Sequence, residues 1–371
     1  MGKINDISAP ESSWVDRHVV IMAGGIGSRF WPVSTPEVPK QFVDILGTGR
    51  TLIQMTADRF EGVCPKENLW VVTGSRYVDI VKKQLPQLPA NHILAEPVGR
   101  GTAPCIAYAG WKIAAENPSA NIVFTPSDAY VQQMDIFRRI ISSALDFTAS
   151  GRRIVTLGIC PSRPETGYGY ICRGSEVPQC SGNDKIYMVE SFKEKPDAAT
   201  AMKYLADGNF FWNAGIFAWS AATLKAEIRE FCPSLASVMD TIAMSFNTLQ
   251  EEGRLLELFP KCEKISIDYA VMEKSPRVYV IPSGFTWSDL GTWGSVRSFM
   301  PVDEQGNAVS RQNEGWVRLY GCRDCVVSMP DTVKAVVEGL EGYVVAMKDG
   351  CLLVCSLENE QNIGKYSQEN G

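Results

Sequence analysis

Short apolar segments alternate with longer amphipathic segments along the first 160 residues of the chain. Apolar runs typical of buried parallel strands lie at residues 19–23, 69–73, 93–95, 122–125 and 154–159. Helix-like patterns occupy residues 52–60, 78–85, 103–116 and 136–149. Because crossovers of helical length join parallel strands, this alternation predicts a sheet covered by helices on both faces. Ligands of such sheets bind beyond the carboxyl ends of the strands.

The pattern changes further along the chain. Strands interrupted by aromatic residues and glycines are predicted within 167–219, helices at 221–231 and 235–249, and a last strand at 278–281. Beyond residue 300, short apolar runs at 326–327, 333–337, 343–347 and 352–354 are separated by turn residues, which indicates a small all-β unit. We therefore predict an N-terminal extension (1–18), a main α/β domain (19–300) and a small β-rich C-terminal domain (301–371).

Composition narrows the class of protein. The chain has 371 residues, of which 45% are hydrophobic and 21% charged, as in ordinary globular domains. The net charge of -6 provides no basic field for nucleic acid, so no nucleic-acid partner is expected. No apolar run approaches the roughly 20 residues needed to span a bilayer, and no membrane partner is expected. The 11 scattered cysteines suit a reducing compartment, which predicts a cytoplasmic protein.

A glycine-rich segment follows the first predicted strand. Glycines here let backbone N–H groups approach an anion closely. Phe30 stands where a Rossmann fingerprint needs its third glycine, and no P-loop sequence occurs in the chain. Instead, the segment carries Arg29, and Lys40 follows eleven residues later. Two cations and backbone donors suit a nucleoside triphosphate. The alternative is a tight turn with a surface arginine.

Three further segments carry chemistry that can also be read as purely structural. Asp128 follows the strand at 122–125 and has the oxygen ligands that Mg²⁺ prefers, and a turn-forming aspartate is the less favoured alternative. The charged run at 192–196 offers a carboxylate for hydroxyl groups and lysines for phosphate, although by itself it is better interpreted as a solvated turn. The thiols of the last 50 residues have two interpretations, as zinc ligands or as buried side chains. We favour burial, because Cys is among the most buried residue types. The thiols concerned are Cys322, Cys325, Cys351 and Cys355.

Taken together, these segments resemble one family. The segments GGIGSRFWP (24–32) and PKQF (39–42) are similar to the signature of the sugar-phosphate nucleotidylyltransferases, and in their fuller form to the mannose-1-phosphate guanylyltransferases. Further similar segments are EPVGRGTAP (96–104), PSDA (126–129), GYGYI (167–171), FKEKP (192–196), WNAGIF (212–217) and WSDLGTW (287–293). The family implies a Rossmann-like, mostly parallel mixed sheet flanked by helices, followed by a β-helix-like C-terminal domain. Residues 19–300 would then be the nucleotidyltransferase domain.

The resemblance also implies a role for individual residues. The nucleotide-binding residues it implies are Ala23, Gly24, Gly25, Gly27, Ser28, Glu96, Pro97, Gly99, Arg100 and Thr102. Those implied for the sugar phosphate are Gly169, Glu194, Lys195 and Asn213. Asp128 and Asp289 are implied as ligands of Mg²⁺, and Arg29, Lys40 and Lys195 as the catalytic cations.

The expected reaction is transfer of GMP from GTP to mannose 1-phosphate, which yields GDP-mannose and pyrophosphate. The family also implies a homodimer. The chain departs from the family at Gly101, where asparagine is usual, and at Ala129, where histidine is usual. Two alternatives stay open: another nucleotide and sugar 1-phosphate pair, and a catalytically weak regulatory paralogue.

Overall fold

The computed structural model describes residues 13–25, 27–178, 184–310 and 315–367, so most of the predicted N-terminal extension and the last residues of the C-terminal region lie outside the described residues. The strands are β1 (Arg17–Ala23), β2 (Leu69–Gly74), β3 (Ile93–Glu96), β4 (Asn121–Pro126), β5 (Tyr130–Val131), β6 (Ile154–Ile159), β7 (Tyr170–Glu176), β8 (Tyr187–Lys193), β9 (Phe210–Ser220), β10 (Val278–Ser283), β11 (Trp287–Ser288), β12 (Ala308–Val309), β13 (Trp316–Tyr320), β14 (Val326–Ser328), β15 (Lys334–Glu338), β16 (Tyr343–Lys348) and β17 (Cys351–Ser356).

The helices lie between these strands and at the end of the described chain. The α-helices are α1 (Leu52–Arg59), α2 (Val78–Gln84), α3 (Thr102–Glu116), α4 (Met134–Thr148), α5 (Ala198–Asp207), α6 (Ala221–Phe231), α7 (Pro233–Ala243), α8 (Glu251–Leu258), α9 (Trp293–Arg297) and α10 (Ile363–Tyr366). Short 3₁₀ turns occur at Trp14–Asp16, Ser28–Phe30, Lys40–Phe42, Lys66–Asn68, Ser75–Tyr77, Ala90–His92, Phe259–Lys261 and Leu357–Asn362, and a π-helical turn at Asp268–Met272.

A nine-stranded sheet forms the centre of the molecule, in the order β3-β2-β1-β4-β9-β6-β10-β8-β7. Strand β1 is parallel to β2 and β4, and β6 is parallel to β10. Strand β9 is antiparallel to both β4 and β6. The predicted mixed, mostly parallel sheet is therefore present.

Both faces of this sheet are buried, which explains the continuous apolar runs of its strands. Along β1, Val20 faces a core formed with α3, α6 and α7, whereas Val19 and Ile21 face a core formed with α1, α2 and α4. Each fully buried side chain of this size stabilises the fold by about 1.5–3 kcal/mol. Strands β1 to β4 run in parallel, so the loops that follow Ala23, Gly74, Glu96 and Pro126 meet at one edge.

Beyond residue 300 the strands form two small sheets, β12-β14-β16-β17 and β13-β15. Parallel pairing joins Ala308 to Val326, Val326 to Val344 and Trp316 to Lys334, so successive parallel partners are 18 residues apart. Each such circuit of the chain adds a strand to a sheet. The described chain ends in a 3₁₀ turn and α10 rather than in a strand.

A third hydrophobic core crosses the predicted boundary near residue 300. It joins Phe30 of the glycine-rich segment and Trp293 of α9 to Val326 and Ile363 of the C-terminal region. The Phe30 and Trp293 rings meet edge to face, with centroids 5.3 Å apart. The division into domains stays a prediction, and the C-terminal region packs directly on the glycine-rich segment.

The C-terminal thiols form hydrogen bonds to the backbone. Cys322 Sγ donates to Val337 O at 3.4 Å, and Cys325 Sγ donates to Leu340 O at 3.3 Å; both residues are buried. Cys355 is buried as well, whereas Cys351 is exposed. Within the described ranges, no group of three or more His, Cys, Asp or Glu side chains is arranged to hold a metal ion. Among the same residues, no helix combines the length and apolar character that crossing a membrane requires.

Two helices in the second half of the chain differ from those predicted. The helix expected at 235–249 ends at Ala243, because the chain turns through Asn247, whose φ is 61°, before α8 begins. Helix α5 was not predicted. It begins at an aspartate cap, where the N–H of Thr200 donates to Asp197 Oδ1 at 2.7 Å.

Candidate active site

The signature loop (residues 23–29) requires glycine at two described positions. Gly25 and Gly27 have φ angles of 91° and 67°, in the left-handed region that favours glycine. A Cβ on Gly27 would lie 2.6 Å from Lys40 Cβ, so the loop can pass Lys40 only without a side chain there. Gln41 Nε2 donates to the carbonyls of Ala23 at 3.3 Å and Gly25 at 3.2 Å. Sequence reasoning did not assign Gln41 this positioning role.

Lys40 connects two segments that lie far apart in the sequence. Its buried Nζ lies 3.0 Å from Asp128 Oδ2 and donates to Asp289 O at 2.8 Å and to Leu290 O at 3.1 Å. An ammonium group has three hydrogens, so these contacts account for all of its donors. Lys40 therefore joins the carboxylate of Asp128 to the backbone of the turn that carries Asp289.

Asp289 lies in the turn between β11 and α9. Its Oδ1 accepts hydrogen bonds from Tyr168 Oη at 2.8 Å and from Gly291 N at 3.1 Å. The next residue, Leu290, has a φ of 44°, which is uncommon for a non-glycine residue and marks a constrained turn. Burial and the neighbouring Asp289 charge raise the pKa of Tyr168 well above its usual range. Tyr168 therefore remains a neutral donor that orients the carboxylate, a role the sequence did not indicate.

Two carboxylates near Lys40, Asp128 and Asp289, are those that the resemblance implies as Mg²⁺ ligands. Asp128 and Asp289 provide carboxylate oxygens, and Mg²⁺ usually takes one or two carboxylates together with substrate phosphates. Lys40 neutralises Asp128 and leaves part of that carboxylate, which is 35% exposed, accessible from solvent. The residues present thus fit the group that the sequence led us to expect.

A cavity of about 410 Å³ lies beside the signature loop. It is lined by Gly24, Gly25, Gly74, Ser75, Arg76, Tyr77, Glu96, Pro97, Val98 and Gly99. Five of the predicted nucleotide-binding residues are among them, and the segment at 74–77 adds Arg76, whose guanidinium lies 4.7 Å from the centre of the Tyr77 ring. The segment follows β2 at the same edge of the sheet. That position was the only signal in the sequence that could have indicated it.

Glu96 is the acidic residue of this cavity. It is 8% exposed, and its Oε1 has no hydrogen-bond partner in the structure. Burial raises the pKa of this carboxyl group to about 7. A buried acceptor without a partner is costly, so Glu96 is a candidate for a contact with a ligand of this cavity.

Two of the predicted nucleotide residues make contacts away from this cavity. The Arg100 guanidinium donates to Pro260 O, and Thr102 Oγ1 accepts from Ile267 N at 2.9 Å. Between them, Gly101 has a φ of 87°, and a Cβ there would lie 2.6 Å from Ile265 O. A side chain at 101 would collide with the 260–267 segment on this backbone, so the glycine that departs from the family matches the local packing. Roles for Arg100 and Thr102 toward the nucleotide stay predictions.

The predicted sugar-phosphate residues lie together. Lys195 Nζ is 2.7 Å from Glu194 Oε1, and Lys195 has a φ of 47°, in the left-handed region. Gly169 is close to the same carboxylate, since a Cβ there would lie 2.5 Å from Glu194 Oε2. Asn213 N donates to Gly169 O at 2.8 Å. These four residues therefore form one cluster.

Arg29 is directed toward the C-terminal region rather than toward Lys40. Its Nη1 donates to Gln361 Oε1 at 3.4 Å, and the residue is exposed. Arg29 and Gln361 border a cavity of about 490 Å³ that also includes Asp289, Tyr168 and Arg163. The structure thus places Arg29 at the opening of a polar cavity that reaches a predicted metal ligand. Ser28 packs against the C-terminal helix, since a Cβ on Gly364 would lie 3.0 Å from Ser28 Oγ.

Comparison with known proteins identifies the family of the chain. The sequence profile of the nucleotidyl transferase family matches residues 18–306, which is more than half of the chain. The chain belongs to this family. The matched range contains every predicted site residue, and it ends close to the predicted boundary at residue 300.

Individual relatives of this nucleotidyl transferase cover nearly the whole chain. The mannose-1-phosphate guanylyltransferase of Klebsiella pneumoniae is 33% identical over 352 residues, which span 93% of this chain and 72% of that protein. The alginate biosynthesis protein AlgA of Pseudomonas aeruginosa is 34% identical over 358 residues, spanning 93% and 70%. A crystal structure described as a mannose-1-phosphate geranyltransferase from Thermus thermophilus superimposes with a TM-score of 0.84 and 28% identity, covering 96% of this chain and 99% of that one.

Ala129, the second departure from the family, is part of the core. It is 2% exposed, and its carbonyl accepts from Arg59 Nη2 at 2.7 Å. Burial lowers the pKa of Arg59 to about 10, which still leaves the guanidinium charged at neutral pH. The hydrogen bond from Arg59 to Ala129 O therefore holds the end of the 126–129 turn in place.

Proposed function

We propose that the chain transfers GMP from GTP to mannose 1-phosphate and releases pyrophosphate. The observation that carries this proposal is the Lys40 contact, which joins Asp128 to the 289–290 turn at the edge where the signature loop lies. The names of the Klebsiella and related proteins support the choice of substrates. An oxygen of the sugar phosphate attacks the α-phosphorus of GTP, a new P–O bond forms, and the bond to the β-phosphate oxygen breaks.

The reaction needs positioning and charge neutralisation more than a protein nucleophile. Bound at Asp128 and Asp289, Mg²⁺ would supply Lewis-acid stabilisation of phosphate oxygens. Lys195 lies in the sugar-phosphate cluster and holds the attacking phosphate. Exposed Arg29 neutralises the departing pyrophosphate. All three donors of Lys40 contact groups of the protein itself, so its role is to hold Asp128 and the 289–290 turn in fixed positions relative to each other.

The choice of guanine rests on Glu96. Guanine presents N1–H and N2–H₂ donors on one edge, whereas adenine presents an acceptor at N1. A carboxylate accepts such a pair of donors with charge-assisted hydrogen bonds. Glu96 lines the cavity beside the loop, where its carboxylate is suited to this task.

Glu96→Gln should raise KM for GTP by about tenfold at pH 8, because a charged acceptor is lost. The wild-type carboxyl has a pKa of about 7, so its accepting form grows as pH rises from 6 to 8. Wild-type kcat/KM for GTP should therefore rise by up to about tenfold over that range, and the variant should be flat. Steady-state kinetics with GTP varied at each pH measure this. The exposed Glu116→Gln is the control, and an equal pH slope in Glu96→Gln and wild type contradicts the assignment.

Lys195→Ala should raise KM for mannose 1-phosphate by about 10- to 100-fold, because a charged contact to phosphate is lost. Arg29→Ala should mainly lower kcat, by about 100-fold, because it acts on charge that develops in the transition state. Both are measured by pyrophosphate release with one substrate varied at a time. Lys193→Ala removes an exposed lysine two residues before Lys195 and should change neither constant. Near-normal kinetics of both test variants would count against these roles.

Pyrophosphate release from each nucleoside triphosphate paired with a panel of sugar 1-phosphates tests the proposal as a whole. Release with GTP and mannose 1-phosphate supports it. Release with a different pair selects another specificity within the family, because a few pocket contacts set that choice. If no pair releases pyrophosphate, the chain is better explained as a regulatory paralogue. The contacts of Lys40 argue against that outcome.

Three further expectations belong to this proposal: a β-helix-like C-terminal domain, a cytoplasmic location and a homodimer. The constant 18-residue offset supports a β-helix-like domain within 301–371. The ten cysteines that the structure describes are free thiols, which supports a cytoplasmic enzyme. A homodimer remains the expectation from the family, and sedimentation analysis tests it.

A further inference from the structure

Asp268 lies at the start of the π-helical turn Asp268–Met272, close to the sugar-phosphate cluster. Turns of this kind are rare and often occur at functional sites. The turn is held in place because Ala270, Val271 and Met272 are buried in the core below it. Asp268 itself is partly buried, and the core side of the turn fixes its position.

Asp268 contacts the predicted sugar residue Asn213. Asn213 Oδ1 accepts from Thr156 Oγ1 at 3.1 Å and from the backbone N–H of Gly215 at 3.0 Å. Because a backbone N–H can only donate, this contact fixes which end of the amide is the oxygen. Nδ2 then donates to Asp268 Oδ1 at 3.1 Å and keeps a second hydrogen for another partner. Asn213 therefore has one amide hydrogen left to donate, beside a carboxylate that accepts.

The cluster gathers two carboxylates around one ammonium group. The hydrogen bond to Glu194 raises the pKa of Lys195, and the charge of Asp268 adds to this effect. Burial, followed by the charge of Glu194, raises the pKa of Asp268 to about 6, against the opposing effect of Lys195. Tyr269 is the other titratable group close to Lys195. When a phosphate takes Lys195 as its partner, the carboxylates need other donors, and sugar hydroxyls supply them.

We propose that Asp268 accepts a hydrogen bond from a ring hydroxyl of the sugar 1-phosphate, and that Asn213 Nδ2 donates to the same hydroxyl. A hydroxyl both donates and accepts, so this pair recognises it more strictly than either residue alone. Asp268 is thereby a specificity-determining residue for the sugar. The assignment rests on the proposed function, because it requires a sugar phosphate at Lys195.

The test compares wild type with Asp268→Asn, which keeps the shape of the side chain and removes its charge. Substrates are mannose 1-phosphate and its 2-, 3-, 4- and 6-deoxy analogues, with GTP saturating. The KM of Asp268→Asn for mannose 1-phosphate should rise by about tenfold or more, while its KM for GTP stays within about twofold. One deoxy analogue, poor for wild type, should be no worse than the parent sugar for the variant. Asp146→Asn, a partly buried ion-paired aspartate near the end of α4, is the matched control.

Each result separates the assignment from the proposed function. If wild type releases no pyrophosphate from GTP and mannose 1-phosphate, the proposed function fails and the assignment with it. If wild type is active and Asp268→Asn keeps its normal KM, the assignment alone is overturned. The assignment is also overturned if the variant penalises the parent and every deoxy analogue equally, because Asp268 then acts only through the fold. An unchanged KM for GTP also shows that the variant is folded.

Discussion

Replacing Lys40 by methionine should lower kcat for pyrophosphate release by at least about 100-fold. The buried Nζ contacts Asp128 Oδ2 and the carbonyls of Asp289 and Leu290. Methionine has a similar length but no donors, so these three acceptors lose their common partner. The 289–290 turn can then shift relative to Asp128, and a misplacement of about 1 Å in such a site is enough for a large loss of rate. Steady-state kinetics at saturating GTP and mannose 1-phosphate measure the effect.

Two further variants define what the Lys40 result means. Lys40→Arg keeps the charge, but its planar fork does not match three acceptors around one point, so we expect kcat to stay low. Lys82→Met removes a lysine whose pair with Asp79 is exposed, and it should leave kcat unchanged. A Lys40→Met enzyme within a few-fold of wild type would show that Asp128 and Asp289 are positioned without Lys40.

Trp293→Ala should have the largest effect on stability, a loss of about 3–5 kcal/mol in the free energy of unfolding. The Trp293 side chain is fully buried and contacts the Phe30 ring in the core that the signature loop shares with the C-terminal strands. A cavity there removes support from the 3₁₀ turn Ser28–Phe30, so kcat should fall as well. Urea unfolding followed by circular dichroism gives the change in free energy.

Trp316→Ala is the matched control for this experiment. Trp316 lies on β13 and is 37% exposed, so its removal should cost less than about 1 kcal/mol. If Trp293→Ala is no more destabilising than Trp316→Ala, the C-terminal region does not share its core with the loop in solution. If Trp293→Ala has the same kcat as wild type, the geometry of the signature loop does not depend on this core.

Much of the central sheet could be predicted from local pattern. The runs at 19–23, 69–73 and 154–159 lie within β1, β2 and β6, because a strand buried on both faces must be apolar throughout. The segment at 198–207 was missed, because its helix begins at an aspartate cap inside a region of aromatic and glycine-rich strands. The 18-residue circuit of the C-terminal region was also missed. Its strands are as short as two residues, too short for a period to stand out.

The site was only partly predictable. Asp128, Lys40 and Asp289 were identified one by one, but the contacts of one ammonium group with the Asp128 carboxylate and the Asp289 carbonyl join residues up to 249 positions apart. Tyr168 and Arg76 were not assigned, since nothing in their own segments distinguishes them from core or surface aromatics and cations. The contact of Arg29 with Gln361 was not predicted, because it depends on α10 and the preceding 3₁₀ turn packing on the loop.

By itself, the sequence determined that glycines follow the first strand, that cations and carboxylates follow other strands, and that the chain resembles one family of nucleotidyl transferases. These are local facts, since apolar runs, glycines and charges express their preferences within a few residues. Only the tertiary structure decided that Lys40 holds Asp128 and the 289–290 turn, that Asp268 lies against Asn213, and that the C-terminal strands share a core with the loop. Such contacts depend on how buried faces from distant segments pack together, and no short segment encodes that packing.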